Sequence, residues 1–392
     1  MSHLMHTYAR LPVAFQSGKG LFLKDSNAKE YLDTFSGIAV NALGHAHPKW
    51  VQAIQNQVAL LTHTSNIYEI DLQEQCAEKL CQLSGLKEVF FCNSGLEANE
   101  AAFKLARFFG HRIKNIAKDE TPEIIVMSHA FHGRSLATLS ATANPKTQEG
   151  FEPLVSGFVR VPFGDLKAIQ AAITPKTAAV MLEVLQGEGG IYLADSEYLK
   201  QLRALCDENN LLLMCDEVQC GMARTGKWFA YQHSGIVPDV ATLAKSLGNG
   251  IPVGACLAGN KIKGLWQAGN HGSTFGGNPL AMRSALATLE IIESENLLEN
   301  AQKMGAYLKS ALEKALANTQ GVEEVRGFGL MIGIALSKPC ADLVTMALKE
   351  GLLVNVTAGS VVRLLPALII SQNEADELVA RLVPVIQQFL RL

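Results

Sequence analysis

The stretch Asp239-Val-Ala-Thr-Leu-Ala-Lys245-Ser-Leu-Gly-Asn-Gly-Ile-Pro-Val-Gly254 decides the fold. A short apolar run, Val240 to Ala244, ends in one lysine, and the chain then turns through Gly248, Asn249, Gly250 and Pro252. A lysine at the end of an apolar strand, facing a glycine-rich turn, has few groups to solvate its ammonium. Desolvation favours the neutral amine, the nucleophilic form that builds a Schiff base. Taken alone, such a lysine is more often an ordinary surface residue.

A second stretch raises its standing. Leu211-Leu-Leu-Met-Cys-Asp216-Glu-Val-Gln219 is a continuous apolar run of the kind a buried parallel strand requires, and it ends in an acid. A carboxylate there is costly unless it meets a positive partner. A protonated pyridine nitrogen is such a partner. A lysine for an aldehyde and an acid for a ring nitrogen together make the pair that pyridoxal phosphate needs.

Working outward, Val89-Phe-Phe-Cys-Asn-Ser94-Gly95-Leu96-Glu97 reads as a strand followed by a helix start. Ser94-x-x-Glu97 has the form of a capping box. Strand, Ser-Gly and helix N-terminus together offer free N–H groups to an anion. Glu123-Ile-Ile-Val-Met-Ser-His-Ala-Phe131-His132-Gly133-Arg134 is another apolar strand with a polar end. Phe131 can stack on an aromatic ring, and Arg134 can grip a carboxylate through two parallel bonds. The ordinary roles are core for the Phe and surface for the Arg. Thr177 to Gly190 repeats the pattern, with Glu183 and Glu188 at or beyond the strand end. His271-Gly-Ser273-Thr274-Phe-Gly-Gly-Asn278-Pro279 is a glycine-rich turn, in which Asn278 can cap and Pro279 can open a helix. Its hydroxyls suit a phosphate or a substrate, or simply a polar loop.

Repeated strand-then-helix units predict a largely parallel sheet, with the site beyond the carboxyl ends of its strands. The expected organisation is an N-terminal segment (1–47) joining a small domain, a large α/β domain (48–294), and a C-terminal small α+β domain (295–392). Asp25 to Ala28 is expected to turn a hairpin, and Pro48 to about Leu61 a helix. Strands are expected at 322–325, 330–336, 352–356 and 361–365. A final helix starts at the capping box Ser371-x-x-Glu374, and Pro384 is expected to kink or end it.

Composition sets bounds. At 392 residues, with 48% hydrophobic and 18% charged residues, the chain is a globular protein with a sizeable core. A formal net charge of −3 argues against nucleic-acid or anionic-membrane partners. The eight cysteines form no CxxC pair and suit reduced, buried thiols in a cytoplasm. His45 and His47 alternate as ligands on a strand do, but no second ligand cluster accompanies them, so packing roles and no metal are expected. No secretory signal and no membrane-spanning run are expected.

Assembled, these runs resemble the ornithine-type subgroup of the class III aminotransferases from Gly20 to Ile370. The runs that carry the likeness include Ser36-Gly-Ile-Ala-Val-Asn, Phe91-Cys-Asn-Ser-Gly-Leu-Glu-Ala-Asn-Glu, Phe131-His-Gly-Arg, Asp216-Glu-Val-Gln, Gly221-Met-Ala-Arg-Thr-Gly-Lys-Trp-Phe, Leu243-Ala-Lys-Ser-Leu-Gly and Ser273-Thr-Phe-Gly-Gly-Asn-Pro. The resemblance implies a fold-type I pyridoxal-phosphate (PLP) enzyme that works as a homodimer with shared active sites. It implies Lys245 as the Schiff-base lysine and Asp216 as partner of the pyridine nitrogen. Gln219 would bond the cofactor's phenolic oxygen, and Val218 would line the cofactor site. Ser94, Gly95 and Leu96 would hold the phosphate, and Phe131 would stack on the ring. Thr274 would reach the neighbouring subunit's phosphate, and Ser273 would lie near substrate. Arg134 would bind a substrate carboxylate. Arg363 would take the α-carboxylate of glutamate, with Glu188 as its switchable partner. Leu96 departs from the family's small residue or Thr; a backbone N–H contact survives that change and a hydroxyl contact does not. Gly37 stands where free-ornithine enzymes tend to carry a tyrosine that meets the α-amine.

The implied reaction moves the δ-amine of N-acetylornithine to 2-oxoglutarate, a step of arginine biosynthesis. Relatives that act on succinylornithine, ornithine or 4-aminobutyrate are the near alternatives. A PLP-binding protein without turnover is the distant one, and it would not need the lysine.

Overall fold

A computed structural model describes residues 3–392. Its centre is a seven-stranded sheet in the order Glu88–Cys92, Gly254–Ala258, Val240–Leu243, Leu212–Asp216, Thr177–Leu182, Glu123–Met127, Phe158–Val161. Gly254–Ala258 runs antiparallel to both its neighbours, and the other pairings are parallel. Sequence reading expected the parallel strands and missed Gly254–Ala258. That strand follows the glycine turn at once, with no helix to announce it.

Alternate residues of the central strands enter different cores. Ile124, Val126, Ala179, Met181, Leu212 and Met214 pack with the alanine-rich helix Gly95–Arg112. Ile125, Met127, Val180, Leu182, Leu213 and Cys215 join the larger core on the opposite face. A sheet buried on both faces has no polar alternation, which is why these strands read as continuous apolar runs. The polar residues Asn93, Glu183, Asp216 and Lys245 therefore collect at or just past the strand ends, where the apolar runs stop.

The chain's two ends share structure. The strands Phe22–Asp25 and Glu30–Asp33 form the expected hairpin, with Asp25 Oδ1 accepting the amides of Asn27 (2.8 Å) and Lys29 (3.0 Å). Glu30–Asp33 then pairs in parallel with Leu352–Leu353. A separate sheet runs Val322–Phe328, Met331–Leu336, Val361–Leu364, Asn355–Thr357. The expected single strand at 352–356 is thus two strands in two sheets, and Val354 carries the chain from one to the other.

Other boundaries differ as well. The first long helix stops at Val58, and Gln57 ties its C-terminal turn to the carbonyl of Leu61 (2.7 Å). Pro384 does not end the last helix, which runs Gln372–Arg391. A mid-helix proline costs about 3 kcal/mol, and the buried face of Leu378, Leu382, Val385, Ile386 and Phe389 holds the helix across it. The Ser371 and Glu374 capping box forms as expected.

Ser36, Gly37, Ile38 and Ala39 all have positive φ (51°, 64°, 66° and 58°), giving one left-handed turn. Three of the four carry a Cβ, and each left-handed L-residue costs roughly 1–2 kcal/mol. Both histidines, His45 and His47, follow it in the chain. His45 Nε2 sits 2.9 Å from Asp33 Oδ2, and His47 Nε2 sits 3.3 Å from Glu295 Oε2. Among the described residues, no cluster of His, Cys, Asp and Glu is placed to hold a metal ion, and no helix is long and apolar enough to cross a membrane.

Candidate active site

A cavity of about 390 Å³ opens at the carboxyl ends of the central strands. Ser94, Gly95, Leu96, Phe131, Arg134, Asp216, Val218, Gln219 and Lys245 all line it. The structure thus brings together nine of the residues singled out from sequence. They enter from four strand ends: Ser94 to Leu96 after Glu88–Cys92, Phe131 and Arg134 after Glu123–Met127, Asp216 to Gln219 at and after Leu212–Asp216, and Lys245 after Val240–Leu243.

Lys245 follows the strand Val240–Leu243 and has φ +44°. It is half-buried and faces the cavity. Enclosure of its ammonium lowers its pKa, and the Arg363 guanidinium nearby adds to the effect. Both influences favour the free amine.

Asp216 ends its strand at 3% exposure. Asn99 Nδ2 donates to its Oδ2 at 2.8 Å, His132 Nδ1 lies 2.7 Å from the same oxygen, and the Val218 amide donates to Oδ1 at 3.0 Å. Thr242 Oγ1 donates to Asn99 Oδ1 at 2.7 Å, so the orientation of that amide is set by its partners. Burial alone pushes the His132 pKa down; its hydrogen bond to Asp216 and the carboxylate's charge outweigh burial and raise it.

Ser94 caps the helix Gly95–Arg112 by accepting the Glu97 amide at 3.2 Å. The reciprocal half of the expected capping box is shifted by one residue. Glu97 Oε2 takes the backbone amide of Asn93 (2.6 Å) and its side-chain amide (2.8 Å), not the amide of Ser94. Gly95 and Leu96 are the first two helical residues, so their N–H groups have no intrahelical acceptor. That is an anion cradle. Gly95 is required there, because a Cβ would come within 2.6 Å of the Val218 side chain.

Phe131 lines the cavity, and its backbone amide donates to Glu183 Oε2 at 3.1 Å. Arg134 is exposed, with its guanidinium carbon 5.9 Å from the Phe131 ring centroid. Glu183 also accepts the Gly187 amide at 3.2 Å. Burial pushes the Glu183 carboxyl up to about 7, with His132 acting against that shift.

At one side, Gln219 joins the cavity to a buried arginine. Arg363 Nη1 donates to Gln219 Oε1 at 3.1 Å and to Glu188 Oε1 at 2.5 Å. Its Nε and Nη2 both reach Asn355 Oδ1. Thr357 Oγ1 holds the Glu188 carbonyl at 2.6 Å. The sequence singled out the pair; the contacts of Asn355 and Thr357 were unread.

Ser273 and Thr274 do not line this cavity. Ser273 Oγ accepts the Gly276 amide (3.0 Å) and bonds Asn93 Nδ2 (3.1 Å). Thr274 is exposed. Sequence reasoning also missed Asn99 and His132, although both stand inside runs it quoted. A polar residue among the alanines Ala98, Ala101 and Ala102 was the available signal for Asn99.

The chain matches the family described as aminotransferase class-III over residues 4–386. It is 54% identical over 392 residues to the acetylornithine aminotransferase of Nitrosomonas europaea, covering 100% of this chain and 99% of that one. It is 49% identical over 375 residues to the acetylornithine aminotransferase of Methanocaldococcus jannaschii, covering 96% and 94%. Among solved structures, the ornithine aminotransferase of Toxoplasma gondii superposes with a TM-score of 0.94 at 31% identity, covering 99% and 93%. The acetylornithine aminotransferase of Elizabethkingia anophelis superposes with 0.87 at 36% identity, covering 98% and 96%. A lysine and an anchored aspartate face one cavity beside unpaired helix amides at the strand ends of this fold, and the chain belongs to the class-III aminotransferases.

Proposed function

We propose that this chain transfers the δ-amino group of N-acetyl-L-ornithine to 2-oxoglutarate, giving N-acetyl-L-glutamate 5-semialdehyde and L-glutamate, as a step of arginine biosynthesis. The cofactor is pyridoxal 5'-phosphate. The residues present suit it: an amine with a lowered pKa, an aspartate fixed by three donors, and unpaired helix amides at Gly95 and Leu96. Bound there, the cofactor supplies an electron sink for the carbon that carries the amine.

The chain's own residues do the rest. Lys245 would hold the cofactor and move a proton to and from the substrate's reacting carbon. Asp216 would hold the proton on the ring nitrogen, and His132 and Asn99 hold Asp216. Phe131 and Val218 would hold the ring, and Gln219 would bond the phenolic oxygen. Ser94, Gly95 and Leu96 would take the phosphate. Arg134 binds the far carboxylate that both substrates share.

The observation that carries this reading is the pairing of Arg363 with Glu188 at the cavity edge. Acetylornithine presents an amine at its reacting end, and glutamate presents an α-carboxylate there. One guanidinium, hidden for the first and freed for the second, lets a single site serve both. Free ornithine is the competing substrate, because ornithine aminotransferases superpose with TM-scores up to 0.94. Steady-state kinetics on acetylornithine, succinylornithine, ornithine and 4-aminobutyrate, with 2-oxoglutarate as acceptor, test the assignment. Acetylornithine is expected to give the highest kcat/KM; a preference for another amine overturns it.

A homodimer with shared sites also belongs to this reading. Thr274 lies beside Phe275, which is 61% exposed, and the loop is tied by Asn66 to the segment carrying Leu60, Ile67 and Tyr68, all 67–80% exposed. An apolar patch of this kind suits a partner surface, and a second copy would bring Thr274 to the other subunit's phosphate cradle. The eight cysteines are all free thiols, which suits a reducing cytoplasm.

A further inference from the structure

The left-handed turn Ser36–Ala39 is pinned at both ends. At its entrance, the buried Asp33 accepts the amides of Phe35 (3.2 Å) and Ser36 (2.8 Å) on Oδ1. At its exit, Ser246 Oγ donates to the Ala39 carbonyl at 2.7 Å, and the Leu43 amide donates to Asn249 Oδ1 at 3.0 Å. Inside, the Val40 and Asn41 amides both return to the Ser36 carbonyl. A run of this kind persists only where its surroundings over-determine it. Its surroundings are the residues that follow Lys245.

The partner segment is strained in the same sense. Lys245 and Asn249 both have φ +44°. The two left-handed segments therefore brace each other through two side-chain hydrogen bonds, and Val40 and Lys245 line the same cavity. Nothing intrinsic to lysine favours its backbone geometry. If the brace is lost, Lys245 can relax to negative φ, which redirects its Cα–Cβ bond and the long side chain beyond it. Proton transfer is sensitive to misplacement on the scale of 1 Å.

We propose that Ser246 and Asp33 are positioning residues for Lys245, acting from opposite ends of the left-handed turn to fix the backbone from which the lysine enters the cavity. This rests on Lys245 being the residue that holds the cofactor. Ser246 is 4% exposed and Asp33 is 3% exposed, so a purely structural role would lower thermal stability and nothing else.

The test uses PLP-loaded enzyme and the variants Ser246→Ala, Asp33→Ala and their combination. The first readout is the pH midpoint of the holoenzyme's visible absorption band, which reports the surroundings of the Lys245 linkage. Both single variants should move it in the same direction. The second is kcat, expected to fall about tenfold in each, with the KM for 2-oxoglutarate changing less than about twofold. The double variant should lose about the same tenfold, because the turn has already relaxed; independent effects would multiply to about a hundredfold. Asp33→Asn keeps an acceptor for Ser36 and should restore the midpoint. A Tm loss with an unmoved midpoint overturns the proposal, as does multiplication in the double variant. If Asp33→Ala does not accumulate folded, the midpoint of Ser246→Ala decides. Borohydride reduction of wild-type enzyme separates the underlying reading: a pyridoxyl label on a lysine other than Lys245 sinks both, whereas a label on Lys245 with unmoved midpoints sinks the brace alone.

Discussion

Arg363 is turned onto Glu188, with Nη1 2.5 Å from Oε1, while the rest of its guanidinium stays fixed to Asn355. The arginine is 1% exposed at its side chain and the glutamate 36%. Only one partner is free to swing. Departure of Glu188 would leave Arg363 in place, still bonded to Gln219, with one donor free for an incoming carboxylate.

Glu188→Ala should therefore slow the acetylornithine half-reaction by at least about tenfold and the glutamate half-reaction by less than about threefold, since only the amine substrate meets an unneutralised cation. Arg363→Ala should invert that ratio. Single-turnover kinetics of each half-reaction decide. Equal losses in both halves for both variants would mean a static ion pair.

Asp216→Ala removes the carboxylate that organises His132 and Asn99. Holoenzyme should still form through Lys245, because the lysine and the phosphate cradle are intact. Turnover should fall by about two to four orders of magnitude, the range expected when a positioned ionisable group is lost. Stopped-flow absorbance of the first half-reaction checks this, and near wild-type rates would remove Asp216 from the ring nitrogen.

Thr274 does not line the cavity of its own chain, so in the proposed homodimer Lys245→Ala and Thr274→Ala should complement. Mixed heterodimers of the two inactive or weakened variants carry one site with both residues intact. Activity well above that of either parent is the expected result once mass spectrometry has verified subunit exchange. Without it, each subunit completes its own site.

Glu217, the residue after Asp216, is buried and accepts the amides of Ala230 (2.9 Å) and Tyr231 (3.0 Å). Burial pushes its pKa from 4.5 up to about 7. Because the folded value is the higher, the stabilisation is complete below the unfolded pKa and is lost as pH rises through the folded one. The urea midpoint of wild type should drop relative to that of Glu217→Gln across that window. A gap that stays constant with pH would show that Glu217 does not titrate there.

Much of the site was readable because of how a doubly buried sheet is written. Leu211 to Cys215 has no polar position, so Asp216 stands out as the point where the strand must meet something other than core. Lys245 stands out in the same way after Ala244. Choices among competing partners were not readable. Glu97 had two adjacent amides in reach and took that of Asn93, which no local spacing specifies. The run Leu352 to Val356 suits a strand throughout, and its division between two sheets is imposed by distant neighbours, Leu32 on one side and Arg363 on the other. Arg224 is fully buried, with Nη1 donating to the carbonyls of Leu330 and Pro366, contacts that exist only after the C-terminal sheet has docked.

The parallel pairing of Leu32 with Leu352 also constrains how this chain is made. Thr34 Oγ1 finds its acceptor on Leu353, 319 residues further along. At ~5–20 residues per second, a ribosome delivers that partner roughly fifteen seconds to a minute after Thr34 itself. The first hairpin emerges early and must wait, with its apolar Leu32 uncovered, while the whole central sheet is synthesised and folds. Nascent chains halted short of Leu352 should therefore be cut by protease within 15–47 while the central strands are already protected. Release of the full-length chain should close that gap.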